Sequence, residues 1–310
     1  MKNLKYYIQK AYKEKWAIGQ FNFSTFEQVK GIVAAAQNLK SPVILGTSEG
    51  ESKFVGLQEA VAIRNVLRKK TGSPIFLNLD HGKSFSTEGG SASGGEIPYI
   101  IKEAIAAGYD MVCFDGSKLP LEENIKISQQ VVKFARWLRL RQSFGRQGGV
   151  VVEGEVGRFG TDASRLYREK FEIKDEDLTN PDDVKKYLEQ AKVDVLAVSI
   201  GTFHGIDITG ASPNIRLDRL QEIRENLNIP LVLHGGSGTP EEDIKKAIKL
   251  GIVKININTE TRLAFTSTLR GTLESNKTEL TPYKYLKEPI EAVRKVIEEK
   301  IRLFGSNDKA

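Results

Sequence analysis

The stretch IPLVLHGGSGTPEEDIKKAIKLGIVKININTETRLAF, residues 229–265, reads as strand, turn, helix, strand and helix in that order. Its two apolar runs are short, β-branched and bounded by glycine, whereas the segment between them spaces apolar residues three or four apart, the period of a helix packed on one face. Thr239-Pro240-Glu241-Glu242 reads as an N-cap, a proline in the first turn and acids facing the helix dipole, and Gly251 ends that helix. Strands joined through helices run parallel.

Outward from this unit the same alternation fills the chain. Strand candidates lie at 16–23, 42–48, 74–80, 110–116, 149–157, 193–201, 229–235 and 253–259, eight in all. Helical patterns lie between them at 26–40, 57–70, 122–140 and 181–192, and Asn180-Pro181 repeats the N-terminal device. Eight strand–helix pairs in 310 residues favour a closed (β/α)8 TIM barrel over an open doubly wound sheet, with residues 1–310 as one domain. A helix at 261–274 and an amphipathic segment at 289–305 exceed what eight repeats need. This extra C-terminal helical segment is a candidate for packing on a partner subunit.

The hydrophobic fraction is 40% and the charged fraction 28%, a balance that suits a globular core. No apolar run approaches the ~20 residues of a membrane-spanning helix. MKNLKYYIQKAYKEKW lacks the apolar stretch and cleavage site of a secretory signal. Cys113 is the only cysteine, so no intrachain disulfide forms, and its place in MVCFD reads as a buried thiol. A cytoplasmic location is expected. The net charge of +6 is spread over helices, which reads first as solvated faces and second as weak attraction for anionic substrates. Neither nucleic acid nor membrane is an expected partner.

Two connections are too long for simple turns: 83–98, containing EGGSASGGE, and 158–179. The first is either a mobile lid over a barrel mouth or a tolerated surface insertion.

All three histidines end an apolar run and precede a glycine: His81-Gly82, His204-Gly205 and His234-Gly235. A lone histidine so placed reads as a hydrogen-bonded structural residue. Three of three in one register point instead to a metal site, because the C-terminal strand ends of a barrel form its active face and three imidazoles leave a coordination position open. Asp80, Asp115, Glu153 and Glu155 occupy similar strand ends. Neighbours on a strand face opposite ways, so Asp80 reaches substrate beside a metal-bound His81 only if the strand end bends, and on that condition it is assigned to proton transfer. Asp115 and Glu155 either hold a second metal position, orient the first ligands or form rim salt bridges.

The phosphate signal is separate. Gly235-Gly236-Ser237-Gly238 follows the seventh strand and Asn256-Ile257-Asn258-Thr259 ends the eighth, the usual phosphate-binding corner of such a barrel. A metal opposite a phosphate cradle suits a small phosphorylated carbonyl compound. Schiff-base chemistry needs a presented lysine, and the obvious strand lysine, Lys254, starts the eighth strand, away from the active face.

These residues resemble the class II, metal-dependent fructose-bisphosphate and tagatose-bisphosphate aldolases. Matching stretches run through FNFSTFE, TSEGE, LDHGKSF, FDGSKLPLEENI, VEGEVG, DVLAVSIGTFHG, IPLVLHGGSG, GIVKININTETRLAF and KIRLFGSNDKA, in family order. The resemblance implies catalytic zinc on His81, His204 and His234, Asp80 as proton donor, and a second or alternate metal contact at Asp115 and Glu155. It implies a dihydroxyacetone phosphate site at Gly205, Gly235, Gly236, Ser237, Asn256, Ile257, Asn258 and Thr259, with Asn22 and Ser48 near substrate and a monovalent cation, Na+ or K+, beside the phosphate. Family members are homodimers or homotetramers.

Several positions depart from the family pattern. Asn78 stands where the family carries an outer histidine, and Ala163 where a glutamate assists proton exchange. Thr281-Pro282-Tyr283-Lys284-Tyr285 replaces a run with an arginine for the distal phosphate, a point where Lys284 offers only a point charge. The expected reaction is cleavage of fructose 1,6-bisphosphate, with tagatose 1,6-bisphosphate or another ketose phosphate as alternatives. A metal-dependent isomerase or epimerase and a noncatalytic sugar-phosphate binder are the competing classes.

Overall fold

The apolar runs become parallel strands that close on themselves. The computed structural model describes residues 2–83, 96–141, 149–157, 166–168, 174–207, 215–225 and 227–310. Its barrel comprises β1 (Ile18–Asn22), β2 (Val43–Ser48), β3 (Ile75–Gly82), β4 (Met111–Phe114), β5 (Val151–Val156), β7 (Val195–Val198), β9 (Leu231–Leu233) and β10 (Ile252–Ile257). Each pairs in parallel with the next in chain order, and β10 closes on β1. The fold is a (β/α)8 barrel. A separate sheet of two short parallel strands, β6 (Leu166–Tyr167) and β8 (Ile206–Asp207), ties the long connection after β5 to the segment that carries His204.

The described helices are α1 (Leu4–Glu14), α2 (Phe26–Asn38), α3 (Glu49–Val55), α4 (Leu57–Thr71), α5 (Tyr99–Ala107), α6 (Leu121–Arg141), α7 (Pro181–Ala191), α8 (Leu217–Glu225), α9 (Glu241–Lys249), α10 (Thr259–Ser275), α11 (Pro282–Tyr285) and α12 (Lys287–Leu303). Local chemistry starts several of them. Capping boxes join Thr25 to Gln28 at α2 and Ser48 to Glu51 at α3, and Asn180 accepts from the Asp182 N–H ahead of Pro181 at α7. Thr239 departs from its expected role. The helix begins after Pro240 with no side-chain cap, and the Thr239 hydroxyl instead donates to the Gly235 carbonyl at 3.2 Å, bracing the turn after β9.

Inside the barrel, period-two alternation sorts side chains by height. The lowest tier is an apolar plug with one residue from each barrel strand: Ile18, Ile44, Phe76, Met111, Val151, Val195, Val232 and Val253. Below it α1 packs Leu4, Tyr7, Ile8 and Ala11 against the plug, closing the N-terminal end of the barrel. This helix carries the i, i+3, i+4, i+7 pattern yet is left unassigned in the sequence reading. Two residues further along the strands, Gln20, Asn78, Cys113 and Glu153 form a polar, fully buried tier.

The C-terminal segment, expected as a candidate subunit contact, covers its own chain. Through Val293, Ile297 and Ile301, α12 packs against α2 and α10. A Cβ at Gly31 of α2 would stand 2.7 Å from the Ile290 carbonyl, so glycine permits this close approach. The chain end is tied down by the Asp308 and Ala310 N–H groups, each 2.9 Å from the carbonyls of Leu39 and Lys40 respectively. By contrast α10 leaves Leu263 and Leu273 exposed. Among the described residues no helix is long and apolar enough to cross a membrane. The lid reading of 83–98 and the Ala163 departure fall largely or wholly on residues 84–95 and 158–165, outside the described residues.

Because Ile297 is fully buried, Ile297→Ala should cost about 2–5 kcal/mol in chemical denaturation, the range for a large-to-small core change. A loss below about 1 kcal/mol would place α12 outside the cooperative core.

Candidate active site

Asp80 and His81 are consecutive, so a regular strand would send them to opposite faces. The backbone supplies the bend that the sequence reading requires. His81 adopts φ = +53°, a left-handed conformation rare outside glycine, and the register of β3 on β4 slips between Leu79 and Gly82. Both side chains therefore reach the barrel mouth, with Asp80 Oδ1 4.0 Å from His81 Nε2.

The three histidines converge: His81 ends β3 and His234 directly follows β9, whereas His204, expected at a strand end, lies in the connection between β7 and β8, six residues beyond Val198. The ring centroid of His81 lies 4.6 Å from that of His234 and 4.9 Å from that of His204. One ring nitrogen from each lies within 4.8 Å of the other two, the spacing of ligands around one cation. Asp115 and Glu155 stand on the far side of His81, with carboxylate oxygens 3.4 and 3.3 Å from its Nδ1. His81, Asp115 and Glu155 form a second group that could hold a metal, and Cys113, Glu155 and His234 a third.

The electrostatics follow from burying these charges together. Burial disfavours a charged His81, but Asp80, Glu155 and Asp115 outweigh it and raise its pKa well above the ordinary histidine value. Burial also acts against the Asp80 carboxylate, yet His81, His234, Lys254 and the Asn22 hydrogen bond hold it below the usual carboxylate range. Asp115 is held low despite burial, through His81 and Ser117. Glu155 goes the other way, pushed up by burial and the neighbouring Asp115 charge. Glu153 is held at about 2: burial opposes its charge, while Lys254 and His234 outweigh burial. Three imidazoles flanked by carboxylates are a donor set that suits a divalent cation of the zinc type.

Asp80 is gripped from two sides. Asn22 Nδ2 donates to Oδ2 and Asn256 Nδ2 to Oδ1, both at 3.0 Å. Asn22 also donates to Glu51 at 3.1 Å and accepts from Gln20 at 3.1 Å, so its amide faces the protein network as well as Asp80. Ser48, the second position expected near substrate, serves the α3 capping box with Glu51. Glu51 in turn pairs with Arg262 at the start of α10.

The expected phosphate corner is formed by the loop after β9 and the end of β10. Gly235 has φ = +66°, and a Cβ there would lie 2.4 Å from the Phe203 carbonyl, so only glycine fits this turn. The Gly236 N–H donates to the Asn256 carbonyl at 3.1 Å, locking the two segments together. Asn258 precedes the 17-residue helix α10, whose N-terminus starts at Thr259 beside Ser237. Gly205 follows His204 with φ = +119°. Ile257 turns its side chain into the core between barrel and helices, leaving only its main chain for the site. Asn256 Oδ1 and Asn258 Oδ1 are buried acceptors with no partner among the described residues, matched to donors such as hydroxyl groups.

Lys254, expected away from the active face, lies level with Ile18 of the plug, wholly buried inside the barrel with its ammonium 2.8 Å from Glu153. Glu153, a strand-end acid left without a role in the sequence reading, lies 2.7 Å from His234 Nε2. The i, i+2 spacing of Lys254 with Asn256 and of Glu153 with Glu155 was the available signal for both. Lys284, the alternative for the distal phosphate, is half exposed and pairs at 2.9 Å with Glu279.

Since His81 is held protonated by its acidic neighbours, a divalent cation entering the three-histidine site must displace that proton. Zinc titrations of apo protein near neutral pH, repeated in two buffers of different ionisation enthalpy, should report release of about one proton per site, with apparent affinity rising as pH rises. Buffer-independent heats would contradict this.

Comparison with known proteins agrees with the geometry. The family model for class II fructose-bisphosphate aldolase matches residues 2–309. The sulfofructosephosphate aldolase of Alkalicoccus urumqiensis is 35% identical over 303 residues, covering 98% of this chain and 96% of that protein. The fructose-bisphosphate aldolase of Geobacillus stearothermophilus is 34% identical over 311 residues, covering 99% and 98%. The crystal structure of the YdjI aldolase from Escherichia coli K12 superposes with a TM-score of 0.75 at 28% identity, covering 100% of this chain and 99% of that one. With three histidines gathered around one point and the match running from end to end, the chain belongs to the class II fructose-bisphosphate aldolase family, a family of carbon–carbon lyases.

Proposed function

We propose that the protein is a zinc-dependent aldolase that reversibly cleaves a ketose bisphosphate, fructose 1,6-bisphosphate foremost, to dihydroxyacetone phosphate and glyceraldehyde 3-phosphate. The observation that carries this reading is the convergence of His81, His204 and His234 beside a carboxylate held by two amides. Zinc held by these three residues would polarise the donor carbonyl and stabilise the negative charge that develops when the carbon–carbon bond breaks. Asp115 and Glu155 are the candidates for a second or alternate metal contact.

Asp80 is the proton-transfer group. Amide N–H groups on both of its oxygens favour the carboxylate form, so in cleavage it takes the proton of the hydroxyl at the bond that breaks and returns it in condensation. Asn22 and Asn256 hold its orientation. The main-chain N–H groups of Gly235 and Ser237, in the loop that the Gly236–Asn256 main-chain bond holds in place, and the N-terminus of α10 at Thr259 suit the dihydroxyacetone phosphate group, with a monovalent cation beside it. The open acceptors of Asn256 and Asn258 suit donor hydroxyls. The enzyme works in the cytoplasm as a homodimer or homotetramer on this reading.

A second reading, an aldolase for another ketose phosphate, is favoured by one specific feature. The segment expected to hold the distal phosphate offers Tyr283, exposed on the surface, and a Lys284 already paired with Glu279. The curated relatives include both a fructose-bisphosphate aldolase and a sulfofructosephosphate aldolase.

A coupled assay of triose phosphate release from fructose and tagatose 1,6-bisphosphates separates these readings. Chelation should abolish turnover, zinc should restore it, and His204→Ala should lose at least about 100-fold in kcat/KM through lost metal. Well-folded, zinc-loaded protein inactive on both sugars would exclude the bisphosphate reading and leave the other ketose phosphates. Asp80→Asn should bind zinc normally yet lose about 100-fold or more in kcat, the scale of general acid–base catalysis.

A further inference from the structure

Beneath the histidine cluster a chain of three fully buried groups runs across the barrel. Lys254 Nζ lies 2.8 Å from Glu153 Oε2, and Glu153 Oε1 lies 2.7 Å from His234 Nε2. All three side chains have zero exposure, so neither charge is screened by water. The third link, His234 Nδ1, faces His81 Nε2 at 3.1 Å at the centre of the proposed metal site. The main chain of His234 is pinned as well, for its carbonyl accepts from the Thr202 hydroxyl at 2.7 Å.

The chemistry of the chain allows one arrangement of protons. An ammonium only donates, so it occupies Glu153 Oε2 as donor and keeps Glu153 a carboxylate, which only accepts. Glu153 Oε1 therefore requires a proton on His234 Nε2, so a cation is taken by the lone pair of Nδ1, the nitrogen turned to His81 and the cluster. A ring free to choose its tautomer would spend part of its time with Nδ1 protonated and unable to take a cation.

We propose that Lys254 and Glu153 are positioning residues that lock His234 into the Nε2–H tautomer and thereby preorganise its Nδ1 for a divalent cation. A buried ion pair is a poor source of stability, because desolvating both charges offsets their attraction. Its presence inside the barrel is instead explained by what it does to the adjacent ring. The proposal rests on the reading of the three histidines as a metal site. It also assigns Lys254 a part in the chemistry without making it a nucleophile.

With three histidines in the chain, long-range 15N–1H spectra of the imidazoles resolve each ring, and His234→Ala assigns the relevant one. In metal-free wild-type protein His234 should show the Nε2–H pattern. The paired variant Glu153→Leu/Lys254→Met removes both charges at similar volume and so should stay folded. It should show mixed tautomers at His234 and a zinc affinity, measured by chelator competition, about 10–100-fold weaker. Glu153→Gln/Lys254→Met keeps an acceptor for Nε2–H and should recover the tautomer and most of the affinity, whereas a purely structural pair would move the thermal midpoint and leave zinc affinity alone. An Nδ1–H pattern in the wild type, or wild-type affinity in a folded Leu/Met variant, overturns the proposal. Should the Leu/Met variant not fold, the wild-type spectrum and the Gln/Met variant still decide it: an Nε2–H wild type with zinc affinity recovered in Gln/Met supports the proposal, and affinity lost there despite an intact tautomer overturns it. Wild-type protein that shows Nε2–H but takes up no divalent metal overturns the metal-site reading itself, and the proposal with it.

Discussion

Closing eight parallel strands forces alternate side chains of every strand into a lumen that only other side chains can fill. Everything functional in this protein depends on how that lumen is divided. The plug of Ile18, Ile44, Phe76, Met111 and their neighbours supplies apolar burial at the bottom. Two residues higher the same strands present Gln20, Asn78, Cys113 and Glu153, and two higher again Asn22, Asp80, Asp115 and Glu155. Polarity thus rises along these four strands toward the face where helix N-termini and loops gather. The plug excludes water from below, which strengthens each electrostatic interaction above it.

Four carboxylates buried this closely cannot all keep their charge without compensation. Lys254 compensates Glu153, two amides with His81 and Lys254 compensate Asp80, and His81 with Ser117 compensates Asp115, while Glu155 is pushed toward its neutral form. The excess of negative charge around His81 is the physical reason that the mouth suits a cation. It also accounts for a backbone that departs from ideal β geometry. The left-handed His81 carries a conformational cost that the surrounding barrel absorbs, and in exchange two consecutive side chains serve one site.

Much of this was legible. Alternating runs located all eight barrel strands, and the repeated His-Gly pairs named the residues that meet at one point. Other placements depended on particular contacts that local pattern does not name. Thr239 has the chemistry of a cap but finds the Gly235 carbonyl in its own turn. Lys254 was judged by its position along a strand, yet its partner lies 101 residues away on β5. The C-terminal segment is amphipathic whichever chain it covers, and only the fold shows Val293, Ile297 and Ile301 against α2 and α10.

The sequence by itself determined the class of fold and the chemical types at the strand ends, because periodicity and turn chemistry are local properties that each segment carries unaided. Only the tertiary structure decided which nitrogen of which histidine meets which acid, how Asp80 and His81 come to share a face, and why a lysine can sit in the middle of the barrel. Those outcomes depend on register, on a single positive φ and on pairings across the lumen, and strand closure sets all of them between residues that no local pattern connects.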